Sequence, residues 1–181
     1  MNAFIDSDTL GDLKPLNRVV FSLGSNQGDS LDILQGAVDM LAATPQLIMV
    51  DVAPVYLTKP VGNTNQPDFY NTVVLAESTM EPRDLLDRAN VIEQAYARHR
   101  DPDNPHGPRT LDVDLIVVGK RASATQRLEL PHPRAHERAF VLVPWLDIDP
   151  KATLPQGPIA DLVARMDVGG VHKLDAGLLK P

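Results

Sequence analysis

The sequence predicts an α+β fold in which strands and helices follow one another in the order β-α-β-β-α-β. Two observations carry this prediction. Apolar residues recur with helical spacing in two stretches, and four short runs rich in apolar and β-branched residues are arranged around them. The 181 residues suffice for one compact domain with a sizeable core and are too few for two domains of ordinary size.

The first half of this pattern begins with a strand at Arg18–Leu23, which ends in a Gly-Ser-Asn turn. Leucine and valine then recur at three- and four-residue spacing, which predicts an amphipathic helix. Ser30 is expected to cap this helix, and Pro45 is expected to stop it. Leu47–Leu57 is predicted as the second strand, and Pro54 within it indicates an edge position or a bulge.

The second half contains a strand at Tyr70–Glu77, a helix opened by Pro82 and a strand at Leu111–Val118. The buried stripe of that helix is predicted to consist of Leu85, Ala89, Ile92 and Tyr96. Split β-α-β units in this order form a four-stranded antiparallel sheet with two helices on one face. This is the ferredoxin-like arrangement.

The two ends of the chain lie outside this pattern. Residues 1–17 are polar and are predicted to form a mobile extension, so that residues 18–181 make up the single domain. Beyond the fourth strand we expect a hairpin or strand near Arg127–Leu130, a helix over Glu137–Leu146 and a short helix around Ile159–Met166.

Composition and charge exclude several classes of protein. The chain has no cysteine, so neither a disulfide framework nor a thiolate metal site is possible. No secretory signal is recognisable, and no run approaches the roughly 18 apolar residues of a membrane span. A net charge of −7 argues against a nucleic-acid partner. We therefore expect a cytoplasmic protein with no membrane partner, and we expect a monomer.

Asp112-Val113-Asp114 is the tripeptide with the clearest chemical potential. Side chains alternate along a strand, so both carboxylates are expected on one face, about 6.6–7 Å apart along the chain, with Val113 on the core face. Carboxylates without histidine or cysteine partners suit Mg²⁺, which takes one or two of them together with phosphate oxygens and water. The tripeptide alone leaves open a second interpretation, in which it is only the solvated face of an edge strand.

Arginines concentrate near this tripeptide, which indicates an anionic ligand such as a triphosphate. The sequence has no glycine-rich phosphate loop, so triphosphate binding would depend on metal ions and guanidinium groups. The arginines concerned are Arg98, Arg100 and Arg109, followed by Arg127, Arg134 and Arg138. We expect Arg134, together with His136, to lie on the surface.

The segment GPRTLDVDLI (Gly107–Ile116) resembles the defining motif of the 6-hydroxymethyl-7,8-dihydropterin pyrophosphokinase family of folate biosynthesis. Four further blocks match the family in order: FSLGSNQGD (21–29), TKPVGNTNQPDFYNTVV (58–74), ANVIEQAYARHR (89–100) and LPHPRAHERAFVLVP (130–144). The resemblance covers residues 18–150. It implies a ferredoxin-like fold and an enzyme that moves the β,γ-diphosphate of ATP onto the pterin hydroxymethyl group with two Mg²⁺ ions, releasing AMP.

The resemblance also implies residue roles, position by position. Asp112 and Asp114 would coordinate both Mg²⁺ ions, and Arg98 and Arg109 would be the catalytic contacts to the transferring phosphates. The implied ATP-binding residues are Asn90, Glu93, Arg100, Leu115, Arg127, His132 and Arg138. The pterin would lie between Phe69 and Phe140, and Asn71 would read its polar edge together with the backbone around Thr58, Lys59 and Val61.

The chain departs from the family pattern in the loop before GPRTLDVDLI. His106 stands where many members have tryptophan, and Asp101 and Asp103 stand where many have basic residues. Pro133 and Glu129 also replace residues that contribute side-chain contacts in some members. In the family this loop closes over the substrates, so its contribution here is left open.

Two alternatives remain open on the sequence pattern. One is another two-metal nucleotidyl enzyme, of the polymerase-palm or cyclase kind, in which paired aspartates also lie on a βαββ sheet. The other is a ligand-binding module without catalytic activity. Release of AMP rather than pyrophosphate would separate the first from the pyrophosphokinase, and metal-dependent ATP binding would separate the second.

Overall fold

The computed structural model describes residues 13–62, 64–96, 103 and 110–175. The first seven elements are β1 (Asn17–Ser25), α1 (Ser30–Ala42), β2 (Leu47–Val52), β3 (Tyr56–Thr58), β4 (Phe69–Ser78), α2 (Pro82–Ala95) and β5 (Asp112–Val118). The remaining elements are β6 (Ser123–Ala124), β7 (Glu129–Leu130), a 3-10 helix (Ala135–Glu137), α3 (Ala139–Ile148), β8 (Thr153–Leu154), β9 (Gly157–Pro158), α4 (Ile159–Arg165) and β10 (Val171–Lys173).

The central sheet is antiparallel and has the strand order β10-β3-β4-β1-β5, with β2 also paired to β4. The predicted second strand is present as two pieces, β2 and β3, which pair with different halves of β4 because Pro54 lies between them. Counting these pieces as one strand, the core order is second-third-first-fourth. The predicted ferredoxin-like βαββαβ core is therefore confirmed.

The sheet is covered on both faces. One face packs against α1 and α2, in a core that includes Phe21, Leu34, Val38, Leu41, Val74, Leu85, Ala89, Ile92 and Val113. The other face packs against α3 and α4, in a core that includes Val20, Leu75, Ile116, Leu142, Trp145 and Ile159.

The two helices of the split β-α-β units, α1 and α2, lie on one face as predicted, and the C-terminal helices α3 and α4 cover the other. The residues of β1 show why this second face is covered as well. Val19, Val20 and Phe21 follow one another in this strand, and all three are completely buried. Consecutive apolar residues in a strand need cover on both sides of the sheet, because their side chains point alternately to opposite faces. β10, which extends the sheet beyond β3, was absent from the predicted elements.

The start of α1 corrects a second detail. Asp29, not Ser30, is the N-cap, and its carboxylate accepts a hydrogen bond from the backbone N–H of Asp32 at 3.3 Å. Ser30 is the first helical residue, and its buried hydroxyl lies 2.9 Å from that of Ser25. The predicted start of α2 is confirmed, with Pro82 at the first helical position.

The segments after β5 agree broadly with prediction. β6 and β7 form the expected hairpin, and α4 matches the predicted short helix. The helix predicted over Glu137–Leu146 begins later, at Ala139, after a 3-10 turn. Most of the predicted N-terminal extension, residues 1–12, lies outside the described residues. Within the described ranges, no helix has the length and apolar character that crossing a membrane requires.

Candidate active site

The two aspartates of β5 lie on one face of the sheet, as their spacing predicts. Val113 and Leu115 point the other way and are each 4% exposed in the core beneath α1 and α2. Antiparallel pairing with β1 places Asp112 opposite Gly24 and Asp114 opposite Ser22. The carboxylates therefore lie on the α3 face of the sheet, and small residues on the neighbouring strand leave space beside them.

A cavity of about 550 Å³ opens over this part of the sheet. Its floor is formed by the two aspartates together with Ser22 and Gly24 of β1 and Asn71 of β4. Three groups of residues wall it: Thr58, Lys59, Val61, Gly62 and Phe69 around β3 and the start of β4; Arg134, Glu137, Arg138, Ala139 and Phe140 around the start of α3; and Asp167, Gly170 and Val171 before and within β10.

Strand pairing brings the residues of one end of the cavity together. Thr58 of β3 pairs with Phe69 of β4, and Tyr56 pairs with Asn71. The side-chain amide of Asn71 donates a hydrogen bond to the hydroxyl of Thr58 at 2.6 Å, and both residues are buried. Its carbonyl oxygen lies over Gly24, where a Cβ atom would come within 2.7 Å of it. The Asn71 carboxamide is thus fixed in orientation on the floor.

Arg138 connects the two ends of the cavity. One guanidinium nitrogen lies 3.6 Å from the Oδ2 atom of Asp114, and the guanidinium carbon lies 5.5 Å from the ring centroid of Phe140. The cation reduces the repulsion between the two aspartates, and it can also contact an anion placed above them. The arrangement has a carboxylate pair at one end and an aromatic surface at the other.

His132 lies near the charged side chains of Arg138 and Asp112, although it does not line the cavity. Burial lowers the pKa of its imidazole below the ordinary value of 6.5; Arg138 acts in the same direction, and Asp112 opposes it. Its Nδ1 atom accepts a hydrogen bond from the backbone N–H of Arg134 at 3.2 Å. We infer a neutral imidazole with its proton on Nε2.

Comparison with known proteins agrees with the motif blocks. The sequence model of the family described as 7,8-dihydro-6-hydroxymethylpterin-pyrophosphokinase (HPPK) matches residues 20–150, which is more than half of the chain. The chain belongs to this family. It is therefore a pyrophosphokinase, an enzyme that transfers a diphosphate group, and this decides against the non-catalytic module and the polymerase-like alternative.

Relatives of similar length support the same assignment. The 2-amino-4-hydroxy-6-hydroxymethyldihydropteridine pyrophosphokinase of Pseudomonas aeruginosa is 36% identical over 160 residues, which cover 88% of this chain and 98% of the relative. The enzyme of the same name from Mycobacterium leprae is 43% identical over 162 residues, which cover 83% and 82% of the two chains.

Solved structures confirm the fold. A crystal structure of Plasmodium falciparum HPPK-DHPS with three substitutions superposes with a TM-score of 0.67 at 13% identity. The superposition covers 88% of this chain and 45% of that longer chain. The wild-type Plasmodium falciparum HPPK-DHPS gives a TM-score of 0.63 at 14% identity, with 85% of this chain and 45% of the other covered.

The predicted pterin and metal residues of this pyrophosphokinase come together in the structure. All of them line the same cavity, although they come from β3 and the loop after it, β4, β5 and α3. They are Thr58, Lys59, Val61, Phe69, Asn71 and Phe140 for the pterin, and Asp112 and Asp114 for the metal. Arg138 is the one predicted ATP contact among the described residues that also lines it.

Other predicted ATP residues lie elsewhere. Glu93 is 5% exposed, and its Oε1 atom accepts a hydrogen bond from the backbone N–H of Val113 at 2.8 Å. The Leu115 side chain is in the core beneath α1 and α2, and Asn90 is half-buried on α2. Arg127 is largely exposed and forms an ion pair with Asp87. Their contacts to ATP stay predictions.

Several residues of interest lie outside the described residues. They are the predicted phosphate contacts Arg98, Arg100 and Arg109, and Asp101 and His106 of the atypical loop. Their roles stay predictions as well.

Some residues that line the cavity were missed by sequence reasoning. Arg134 is exposed as expected, but it also stands at the cavity rim with Glu137. Asp167, Gly170 and Val171 belong to a part of the chain without a recognised motif, so no sequence signal pointed to them. Gly24 lay within a matched block, but only the strand pairing shows that it borders Asn71.

The carboxylate pair fits Mg²⁺ by the chemistry of its donors. Among the described residues, no group of three or more histidine, cysteine, aspartate or glutamate side chains could hold a metal ion. Two carboxylates on one strand, with an arginine beside them, instead fit an ion that also takes phosphate oxygens and water. Asp112 and Asp114 are the residues that would hold it.

Proposed function

We propose that this pyrophosphokinase transfers the β,γ-diphosphate of ATP to the hydroxymethyl oxygen of 6-hydroxymethyl-7,8-dihydropterin, and that it does so in the cavity over β1, β4 and β5. The observation that carries the proposal is the joint placement of the aspartate pair and all six predicted pterin residues around one cavity of about 550 Å³. A flat ring at the aromatic end would place its substituent toward the carboxylate end.

In the proposed pterin site, Phe69 and Phe140 supply aromatic surface for the ring. Stacking of a flat heterocycle on such a side chain contributes about 1–3 kcal/mol per partner, by analogy with nucleic-acid bases. Asn71, whose amide is held by Thr58, presents its carbonyl oxygen as an acceptor for a ring N–H. These contacts orient the pterin so that its hydroxymethyl group lies near the transferring phosphate.

In the proposed phosphate site, Asp112 and Asp114 hold two Mg²⁺ ions. These carboxylates would hold the ions, which would supply positive charge to neutralise the phosphates. Arg138, beside Asp114, is placed to contact a phosphate oxygen, and Arg98 and Arg109 are proposed as further contacts. The hydroxymethyl oxygen forms a bond to the β-phosphorus, the bond from that phosphorus to the α,β-bridging oxygen breaks, AMP leaves and the hydroxyl proton is released.

The test of this proposal replaces the carboxylates without changing their size. Asp112→Asn and Asp114→Asn should each lower the Mg²⁺-dependent rate by about 100-fold or more, since several kcal/mol of charge stabilisation are lost. Calorimetry should also show that Mg²⁺ no longer tightens ATP binding. Asp149→Asn is the matched control, because this carboxylate lies 3.9 Å from Arg18, away from the cavity. Near wild-type rates in both β5 variants would contradict the metal assignment.

A further inference from the structure

Three elements that wall the cavity meet at a small polar cluster. The hydroxyl of Tyr56 on β3 donates a hydrogen bond to the Oδ2 atom of Asp147 on α3. The Nζ atom of Lys173 on β10 lies 3.1 Å from the same oxygen and 5.8 Å from the centroid of the Tyr56 ring. We refer to these three residues as the Tyr56 cluster.

Each element of the cluster also contributes to the cavity wall. β3 contributes Thr58, α3 contributes Phe140 and β10 contributes Val171. The pairing register places Lys173 opposite Tyr56 and Val171 opposite Thr58, so cluster and wall are two rows apart in one ladder, on the same face of the sheet. A fixed cluster therefore fixes the spacing between these three parts of the wall.

The strands concerned are too short to hold that spacing by themselves. β3 and β10 each have three residues, and β10 is at the edge of the sheet, where β3 is its neighbour. Few backbone hydrogen bonds flank the paired residues. The backbone N–H of Lys59 donates a hydrogen bond to the carbonyl oxygen of Gly170 at 3.3 Å, and the backbone N–H of Leu174 donates one to the carbonyl oxygen of Val55 at 2.9 Å. Within the described ranges, the cluster alone connects both strands to α3 through charged and hydrogen-bonded side chains.

We propose that Tyr56, Asp147 and Lys173 are positioning residues for the pterin. They hold β10 against β3 and both against α3, and so set the width of the slot between Thr58, Val171 and Phe140. The inference rests on the proposed function of this cavity. The family model matches residues 20–150, so β10 lies beyond the part of the chain that the model covers. The cluster does not line the cavity, and we expect it to act through the residues that do.

The test separates pterin binding from nucleotide binding. Each variant is saturated with Mg²⁺ and a non-transferable ATP analogue, and 6-hydroxymethylpterin is titrated in by calorimetry. Asp147→Ala should weaken pterin binding by about tenfold, because a small displacement of the wall misplaces the ring. Binding of the nucleotide analogue, measured alone, should stay within about twofold. Lys173→Met should also weaken pterin binding. Lys173→Arg should bind the pterin about as tightly as the wild type, because it keeps the ion pair with Asp147.

Asp149→Ala is the control, because it also removes a carboxylate near the end of α3. Asp149 forms its ion pair with Arg18 of β1 and not with a residue of β3 or β10. Pterin binding in Asp147→Ala that equals wild type, even with a lower melting temperature, would show a purely structural role and overturn the inference. Equal losses for nucleotide and pterin would overturn it too. If Asp147→Ala does not fold, Tyr56→Phe and Lys173→Met decide by the same criteria. A wild-type chain that binds no pterin would overturn both this inference and the proposed function.

Discussion

At the scale of single residues, the cavity floor depends on a glycine. Gly24 lies between Asn71 of β4 and Asp112 of β5, which are its pairing partners on either side. A Cβ atom at this position would lie 2.7 Å from the carbonyl oxygen of Asn71, closer than van der Waals contact permits. Since Asn71 is buried and bonded to Thr58, it has little freedom to move away.

Gly24→Ala should therefore displace the Asn71 carboxamide and weaken pterin binding by about tenfold, as expected for moderate overpacking. A double-mutant cycle with Asn71→Ser, read by calorimetry, provides the control. Serine is shorter, so the added methyl group should cost little more affinity in that background. If the losses of pterin binding free energy from Gly24→Ala and Asn71→Ser simply add in the double variant, Gly24 acts through something other than Asn71.

Tyr56 gives a residue-scale prediction about pH. Burial, followed by its hydrogen bond to Asp147 and the charge of that carboxylate, raises the pKa of Tyr56 well above its ordinary value of 10.0. Below pH 10 the hydroxyl is neutral in both folded and unfolded chains, and its stabilising effect is complete. Above that pH the unfolded chain loses the proton while the folded chain keeps it, so stability falls as pH rises.

The measurement is the free energy of unfolding of Lys173→Met and of Lys173→Met with Tyr56→Phe, compared at about pH 8 and about pH 11. The Lys173→Met background removes the titration of the neighbouring lysine. The free energy of unfolding should be larger with Tyr56 than with Tyr56→Phe, and this difference should shrink at the higher pH. A difference that stays constant or grows would contradict a raised tyrosine pKa.

At the scale of elements, α2 supports the strand that carries the aspartates. Glu93 accepts the backbone N–H of Val113, the residue between Asp112 and Asp114. β5 is the last strand in the order of the described sheet, so this outward N–H has no neighbouring strand to receive it. The hydrogen bond is buried, and it fixes the position of the aspartate pair relative to α2.

Glu93→Leu should lower the free energy of unfolding by about 1–3 kcal/mol, because it leaves a buried N–H without its acceptor. Glu93→Gln keeps a side-chain oxygen at the same reach and should lose clearly less. Urea unfolding of the two variants and the wild type measures the difference. Equal stability of Glu93→Leu and Glu93→Gln would show that this hydrogen bond contributes little.

The elements with a clear apolar period were predictable from the sequence. α1, α2, β1, β4 and β5 were predicted within a few residues of their observed bounds, because each shows one clean hydrophobic pattern. β3 and β10 have three residues each, too few to show alternation. Their pairing depends on contacts between residues more than a hundred positions apart in the sequence, which no local pattern encodes.

The site was predictable to a similar degree, for a related reason. The residues proposed to bind the pterin and the metal lie within continuous motif blocks, and the structure brings them to one cavity. The wall from Asp167 to Val171 could not be predicted, because it depends on how the C-terminal segment folds back onto β3. The position of Glu93 against Val113 likewise follows from the packing of α2 on β5.

At the scale of the whole molecule, an acidic protein is proposed to bind a polyanion. The chain carries a formal net charge of −7, and its cavity contains acidic residues as well as Arg134 and Arg138. Favourable binding of a triphosphate there requires local positive charge, which the arginines and the proposed Mg²⁺ ions supply. We propose that one cavity combines this charge with a pterin slot, so that diphosphate is transferred as a unit.

The transfer of diphosphate as a unit is tested most directly by identifying the nucleotide product. The wild-type enzyme is incubated with ATP, Mg²⁺ and 6-hydroxymethyl-7,8-dihydropterin, and the nucleotides and pterins are separated over time. We predict that AMP forms in equal amount with the pterin diphosphate, and only when Mg²⁺ and the pterin are both present. Formation of ADP or free pyrophosphate as the main product, or AMP formation that does not depend on the pterin, would contradict it.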